Sequence, residues 1–389
     1  MGEESSIYLQ RAFKYPLPPY SPSKKYLEYP FEHVLEENQV YEGIRNIFRL
    51  WGLDLENYNM KKWNPLGEFI SRGSKIFINT GGSFKASLSH PSFLRTILDY
   101  VFIATGGEAE VFIGFSPFDW EPENLPIIDF PYGSKFKIFF VNEGDPVGYT
   151  QINLGEASLF SSYNGNWKMF SAKGGVTTHN SEQAIYFLST TALMSDLVIV
   201  IFKPSLNSYC GLGGAVASFL GFVEDPRDVP LYTSGKPSKG GDQCPEDSKN
   251  CEGEKGAWWR NDTFWRAVVD IVGGVLYFSY DGSFRSTPRP LLVLADMVEA
   301  MEEKPEIILA GTDPFGIDCV VAKIIGYNWF NLPFLSNLSL NKNFPLRLKD
   351  CPEFKLISED IFLSGSLKDL KPLFFAREPE GWKGRLSLK

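Results

Sequence analysis

A chain of 389 residues that is 43% hydrophobic and 15% aromatic has enough apolar material for one large α/β unit or two smaller ones. A formal net charge of −9 excludes nucleic acid and anionic lipid as bulk partners. No apolar run approaches the roughly 18 residues of a membrane span, so no span is expected, and the N-terminal residues lack the apolar core of a signal peptide, so the expected location is cytoplasmic.

Residues 1–65 are rich in Tyr, Pro and charge and read as an arm with one amphipathic helix, EGIRNIFRLWGL (42–53). SKIFINTGG (74–82) has the pattern of a buried strand ending in glycines, and HPSFLRTILDYVFIATGG (90–107) that of a helix with a double-glycine stop. EAEVFIGFSP (108–117) reads as the next strand, which makes a parallel βαβ unit. FKIFFVN (136–142) follows as an extended piece, SEQAIYFLSTTALMS (181–195) as a helix, and DLVIVIF (196–202) as a buried strand. GLGGAVASFLGF (211–222) suggests a glycine-opened helix. NDTFWRAVVDIVGGVLYFSY (261–280) suggests a helix with Trp265, Val268, Val269, Val272 and Leu276 on one face. PLLVLADMVEAM (290–301) and PEIILAGTDPFGIDCVVAKIIGY (305–327) complete the pattern, with Asp313 as a helix cap and Pro314 at the first helical position. The expected fold is α/β: a mostly parallel sheet with flanking helices in a core domain at 66–335, an N-terminal arm, and an irregular C-terminal tail at 336–389 packed on the core.

Few standard chemistries fit. The five cysteines are Cys210, Cys244, Cys251, Cys319 and Cys351, a sparse and odd number that agrees with a cytoplasmic protein. Cys244 and Cys251 have six residues between them, not the tight C-x-x-C pairing of metal sites. They read as free thiols, with a local disulfide as the alternative and no metal site expected. The three histidines, His33, His90 and His179, form no H-x-x-x-H pair. His90 precedes Pro91 at a helix start, where its ring meets either a ligand or the backbone. GLGGAVASFLG lacks the third glycine of a dinucleotide fingerprint, and neither G-x-x-x-x-G-K-[ST] nor G-x-S-x-G occurs, so no cofactor is expected.

Acidic residues at element ends form the most informative set: Asp242, Asp270, Asp296, Asp313 and Asp318. Asp313 is most simply a cap and Asp270 a helix-surface residue. Asp242, in a glycine-flanked loop, and Asp296, at the end of LLVLAD, are placed to reach a pocket at the carboxyl edge of a parallel sheet.

The order of segments over roughly residues 74–335 resembles the family known as domain of unknown function 362. The resemblance rests on KIFINTGGSFKASLSHPSFLRTILDYV with GGEAEVFIGFSP, on DLVIVIFKPSLNSYCGLGGAVASFLG, on GGDQCPE before a W-R-x-x-x-D helix, and on IILAGTDPFGIDCVVAKIIGY. The chain departs from that family mainly at basic positions. Asn79, Thr80 and Gly81 stand where the family has lysine, proline and asparagine. Ser205, Leu206 and Asn207 replace a lysine–threonine–histidine run, and Ala217 and Ser218 replace a lysine–asparagine pair. Lys203 and Gly221 persist, and Asp296 is kept while Met297 replaces the glycine after it. The resemblance leaves His90, Lys203, Asp242, Arg266, Asp270, Asp296, Asp313 and Asp318 as site residues. It implies a divergent member acting as a non-catalytic binding or assembly subunit. The alternative is an enzyme on a small anionic or sugar-like metabolite, with Asp242, Asp296 or His90 as the catalytic group and Lys203 or Arg266 as anion anchor. The expected partner is accordingly another protein, a second copy, or a small anionic metabolite.

Overall fold

The structure, a computed structural model, describes residues 6–81, 88–114, 131–141, 147–159, 168–170, 176–178, 185–224, 259, 264–337 and 354–388. The arm opens with a strand, β1 (Ser6–Arg11), and leads to the amphipathic helix α1 (Gln39–Trp51). Asn38 caps α1 by accepting from the Tyr41 N–H, and Gly52 stops it at φ 86°, a left-handed conformation that glycine adopts without steric cost. β2 (Lys75–Asn79), α2 (Pro91–Thr105) and β3 (Ala109–Gly114) follow as the sequence predicts, with His90 as the α2 cap and Gly106 at its end. Next come β4 (Phe136–Val141), β5 (Tyr149–Asn153), and the short strands β6 (Lys168–Phe170) and β7 (Val176–Thr178).

The helix expected over 181–195 is instead the strand β8 (Ile185–Ser189) and a single turn, α3 (Thr190–Leu193). Tyr186 and Leu188 are buried while Phe187 is exposed, and this alternation pairs β8 antiparallel with β5. Ser189 then caps α3 by accepting from Ala192 N–H, so the change of element is encoded at one residue. β9 (Leu197–Phe202) is buried throughout. The helix expected over 211–222 is also shorter than predicted. β10 (Ser205–Asn207) and β11 (Gly211–Gly213) form a hairpin, α4 (Ala215–Ser218) is one turn, and Phe219–Phe222 is a 3-10 turn. Then come α5 (Phe264–Tyr277), β12 (Leu291–Met297), β13 (Ile307–Gly311) and α6 (Pro314–Ile324). α7 (Pro333–Ser336) ends the core, and the tail adds two further strands, β14 (Lys355–Ile357) and β15 (Gly365–Ser366).

Nine strands form one sheet in the order β15-β14-β1-β13-β12-β9-β2-β3-β4. The pairs β2–β3, β3–β4, β2–β9, β9–β12 and β1–β14 are parallel, and β12–β13, β1–β13 and β14–β15 are antiparallel. From β2 the chain builds outward through β3 and β4, then returns to lay β9 and β12 on the other side of β2. Strand order therefore reverses between β2 and β9, and the crevice beyond their carboxyl ends is where ligands bind in open α/β sheets.

Both faces of the sheet are covered. Val198, Val200 and Phe202 share one core with α4, α5, α6 and the tail residue Trp382, while Leu197, Ile199 and Ile201 share the other with α1, α2 and the arm. A strand buried on both sides is an unbroken apolar run, which explains LVIVIF. Burying an α5 residue such as Val268 or Val272 contributes about 1.5–3 kcal/mol. Every α5 residue is buried, not only its predicted face. β8 and α7 pack against what would otherwise be its solvent side, with Gly274 against Leu188.

Cys210 is a buried free thiol, whereas Cys319 on α6 is disulfide-bonded. Cys244 and Cys251 lie outside the described residues. No helix among the described residues is long and apolar enough to cross a membrane.

Candidate functional site

Along β12, Val293, Ala295 and Met297 face the α5 side, so Asp296 emerges on the opposite face, toward the arm and the start of α2. It is fully buried. Its Oδ1 accepts from the Tyr15 hydroxyl at 2.8 Å and from Val298 N–H at 3.3 Å. Its Oδ2 accepts from the His90 backbone N–H at 2.8 Å. Burial raises its pKa to about 6, against the opposing pull of these donors and of nearby Lys203. Asp296 thus ties three chain segments together at the carboxyl edge of the sheet.

Tyr15 arrives there because β1 runs antiparallel to β13 and leaves the sheet where β13 begins. Arg11 donates to the Pro305 carbonyl at 3.2 Å and Ala12 N–H to the Glu306 carbonyl at 2.9 Å, holding the arm along the β12–β13 connection. The Tyr15 ring stacks on His90, with centroids 4.1 Å apart, and Tyr20 meets the other side of His90 edge-on at 5.5 Å. His90 Nδ1 lies 2.8 Å from Ser92 Oγ and accepts from Ser92 N–H at 3.3 Å, so the ring is a helix cap. Burial, and then Lys203, lower the His90 pKa to about 4, which keeps the imidazole neutral near pH 7.

Lys203 follows β9 directly, at the strand-order reversal. Its ammonium sits 5.7 Å from the centre of the Tyr15 ring, and no carboxylate among the described residues pairs with it. It opens onto a cavity of about 490 Å³ whose walls are Lys203–Leu206 and Glu299–Lys304. Ser205 is 9% exposed, and its hydroxyl, closed off from solvent, has no hydrogen-bond partner. Lys304 and Glu299, which also line the cavity, form an ion pair at 2.9 Å. Lys203, His90 and Asp296 were visible in the sequence. Tyr15 and the Glu299–Lys304 loop carry no such mark, since nothing local identifies an arm tyrosine or a loop after a strand as neighbours of Lys203.

The other sequence candidates lie elsewhere. Asp270 is not on the helix surface but fully buried, accepting from Ser158 Oγ at 2.5 Å, Leu159 N–H at 2.8 Å and Tyr186 OH at 3.1 Å. Burial raises its pKa to about 7. Arg266, one turn earlier on α5, donates to the Leu159 carbonyl at 2.7 Å and stacks over Trp265. The pair fastens the 158–159 segment to α5.

Asp313 caps α6 by accepting from Phe315 and Gly316 N–H. Because β13 is antiparallel to β12, with Met297 opposite Ile307 and Val293 opposite Gly311, Asp313 sits at the sheet end away from Asp296. Asp318 accepts from Ala215 and Val216 N–H at 2.6 and 3.0 Å, joining α6 to the start of α4. His33 is exposed, and Asp242 and His179 lie outside the described residues. No group of three or more His, Cys, Asp or Glu among the described residues could hold a metal ion.

No family model matches the chain, and no curated protein matches it. Among solved structures, it is similar to the lactate racemase apoprotein from Thermoanaerobacterium thermosaccharolyticum, with 11% identity and a TM-score of 0.36, over 79% of this chain and 54% of that one. It is also similar to a protein from Thermotoga maritima, with 10% identity and a TM-score of 0.34, over 69% of this chain and 54% of that one. The chain therefore spans about half the length of either structure.

Proposed function

We propose that the chain is a divergent relative of the domain of unknown function 362 family and acts as a non-catalytic binding protein, taking a small anionic metabolite at Lys203. The observation that carries this reading is a lysine with no ion-pair partner among the described residues opening onto a cavity of about 490 Å³. An ammonium so placed is suited to a carboxylate or phosphate.

Two features favour binding over catalysis. The carboxylate of Asp296 is buried with donors on both oxygens, and a His90 pKa near 4 makes its ring a weak base at neutral pH. The altered family positions agree with this. Asn79 donates to the Ser218 carbonyl and accepts from Gly81 N–H, and Asn207 accepts from Tyr209 and Cys210 N–H. Amides that shape turns stand where the family carries a lysine and a histidine. An assembly role gains less support, because Trp259 is packed against the core with Arg385 over its ring.

The test is thermal-shift screening of the full chain against small carboxylates and inorganic phosphate, followed by mass spectrometry of the recovered compound. At least one anion is expected to raise Tm, Lys203→Ala is expected to abolish the shift, and the compound is expected back unchanged. Absence of any shift, or a shift indifferent to Lys203→Ala, sinks the proposal. A chemically altered compound replaces it with the enzyme reading.

A further inference from the structure

Resting on the Lys203 cavity as the binding site, we infer that Tyr15 is its positioning residue: the ring of this arm tyrosine holds the Lys203 ammonium in place for an anion without neutralising it. The cavity walls are Lys203–Leu206, after β9, and Glu299–Lys304, after β12. Tyr15 meets both. The Lys203 ammonium lies over its ring, 5.7 Å from the centre, and its hydroxyl accepts from the Glu299 N–H at 3.3 Å. The same hydroxyl donates to Asp296 Oδ1 at 2.8 Å, and the ring stacks on His90 with centroids 4.1 Å apart. A side chain held at its tip and along its ring has little freedom left, so the surface it offers Lys203 is preorganised.

Charge explains why a ring suits this place better than a carboxylate. A carboxylate against Lys203 would cancel its charge in an ion pair, whereas an aromatic quadrupole attracts an ammonium and leaves the charge for a ligand. The two acids in the field of Lys203 are committed elsewhere. Asp296 accepts from Tyr15 and from the His90 and Val298 N–H groups, and Glu299 pairs with Lys304 at 2.9 Å. The arm is anchored on either side of Tyr15. Phe13 N–H donates to Gln39 Oε1 at 2.7 Å, and Arg95 donates to the Pro19 carbonyl at 3.2 Å. Between these anchors Lys14, Leu17 and Pro18 are exposed, while Tyr15 is half-buried and Pro16 buried.

The experiment is isothermal titration of the full chain with inorganic phosphate, acetate and succinate, with a melting curve for every variant. Tyr15→Phe keeps the ring and loses the hydroxyl, whereas Tyr15→Leu and Tyr15→Met lose both. Tyr15→Phe is expected to bind the tightest of the three anions within about threefold of the unaltered chain, although its Tm falls. Tyr15→Leu and Tyr15→Met are each expected to bind it at least about tenfold more weakly, and if one of them does not fold the other decides. A tyrosine that served the fold alone would lose affinity equally in all three variants. That result, or a loss smaller than about tenfold in the two variants without a ring, overturns the role of Tyr15 and leaves anion binding at Lys203 standing. Binding of none of the three anions, or binding indifferent to Lys203→Ala, overturns the site itself and this inference with it.

Discussion

Asp296 shows how one side chain can hold an edge of the fold together. Its carboxylate accepts from the arm, from the start of α2 and from its own strand end, so no single contact explains its burial. In Asp296→Asn one oxygen becomes a donor, and either the Val298 N–H, which shares Oδ1 with Tyr15, or the His90 N–H loses its acceptor. Hydrogen bonds to charged groups contribute about 1.5–3 kcal/mol each, so a loss of about 2–4 kcal/mol is expected in urea denaturation. A loss below about 0.5 kcal/mol would show that these donors find water instead. Asp296 and Lys203 were legible as residues at the ends of apolar strands. Tyr15 was not, because its contact with Asp296 spans 281 residues and exists only once β1 lies beside β13.

At the scale of elements, α4 depends on α6. The single turn Ala215–Ser218 has no capping side chain of its own, and Asp318 supplies the acceptor for its first two N–H groups from a distant helix. Gly214 makes this approach possible, since a Cβ there would overlap the Asp318 carboxylate. Gly214→Ala is therefore expected to cost about 3 kcal/mol or more by displacing a buried, hydrogen-bonded carboxylate. Comparison with Asp318→Ala in the same background tests the mechanism. If the two losses add fully in the double variant, they are independent and the explanation fails; strong non-additivity supports it. The helix predicted over 181–195 failed for a related reason. Its apolar residues fit an amphipathic helix, but pairing with β5 rewards the Tyr186 and Leu188 alternation and decides for a strand.

For the whole molecule, the described residues include five carboxylates whose burial raises their pKa: Asp99, Asp296 and Asp313 to about 6, and Asp270 and Asp318 to about 7. The folded state then holds protons that the unfolded chain releases above pH 3.8, the ordinary value of these carboxyls. Between about pH 4 and 7 the native protein binds more protons than the unfolded one, so these groups lower stability as pH rises. His90 opposes them: its pKa falls from 6.5 to about 4, and its contribution increases with pH over that interval. Five groups outweigh one. Stability to urea is expected to be greater at pH 5 than at pH 7.5 by more than about 1 kcal/mol, and a curve rising toward pH 7.5 would contradict it.

The sequence by itself determined the α/β class, the core strand LVIVIF, the helices α1, α2, α5 and α6, and the placement of Asp296 and Lys203 at strand ends. Each depends on local period, capping and chain order, which any stretch of residues carries within itself. Tertiary structure alone decided that β1, β14 and β15 extend the sheet and that β13 runs antiparallel, sending Asp313 to the far end. It also decided that Asp270 and Asp318 serve as buried acceptors, and that Tyr15, Ser205 and the Glu299–Lys304 loop surround Lys203. The physical reason is distance along the chain. Burial, hydrogen bonding and charge pairing at these residues depend on partners that no local pattern can name.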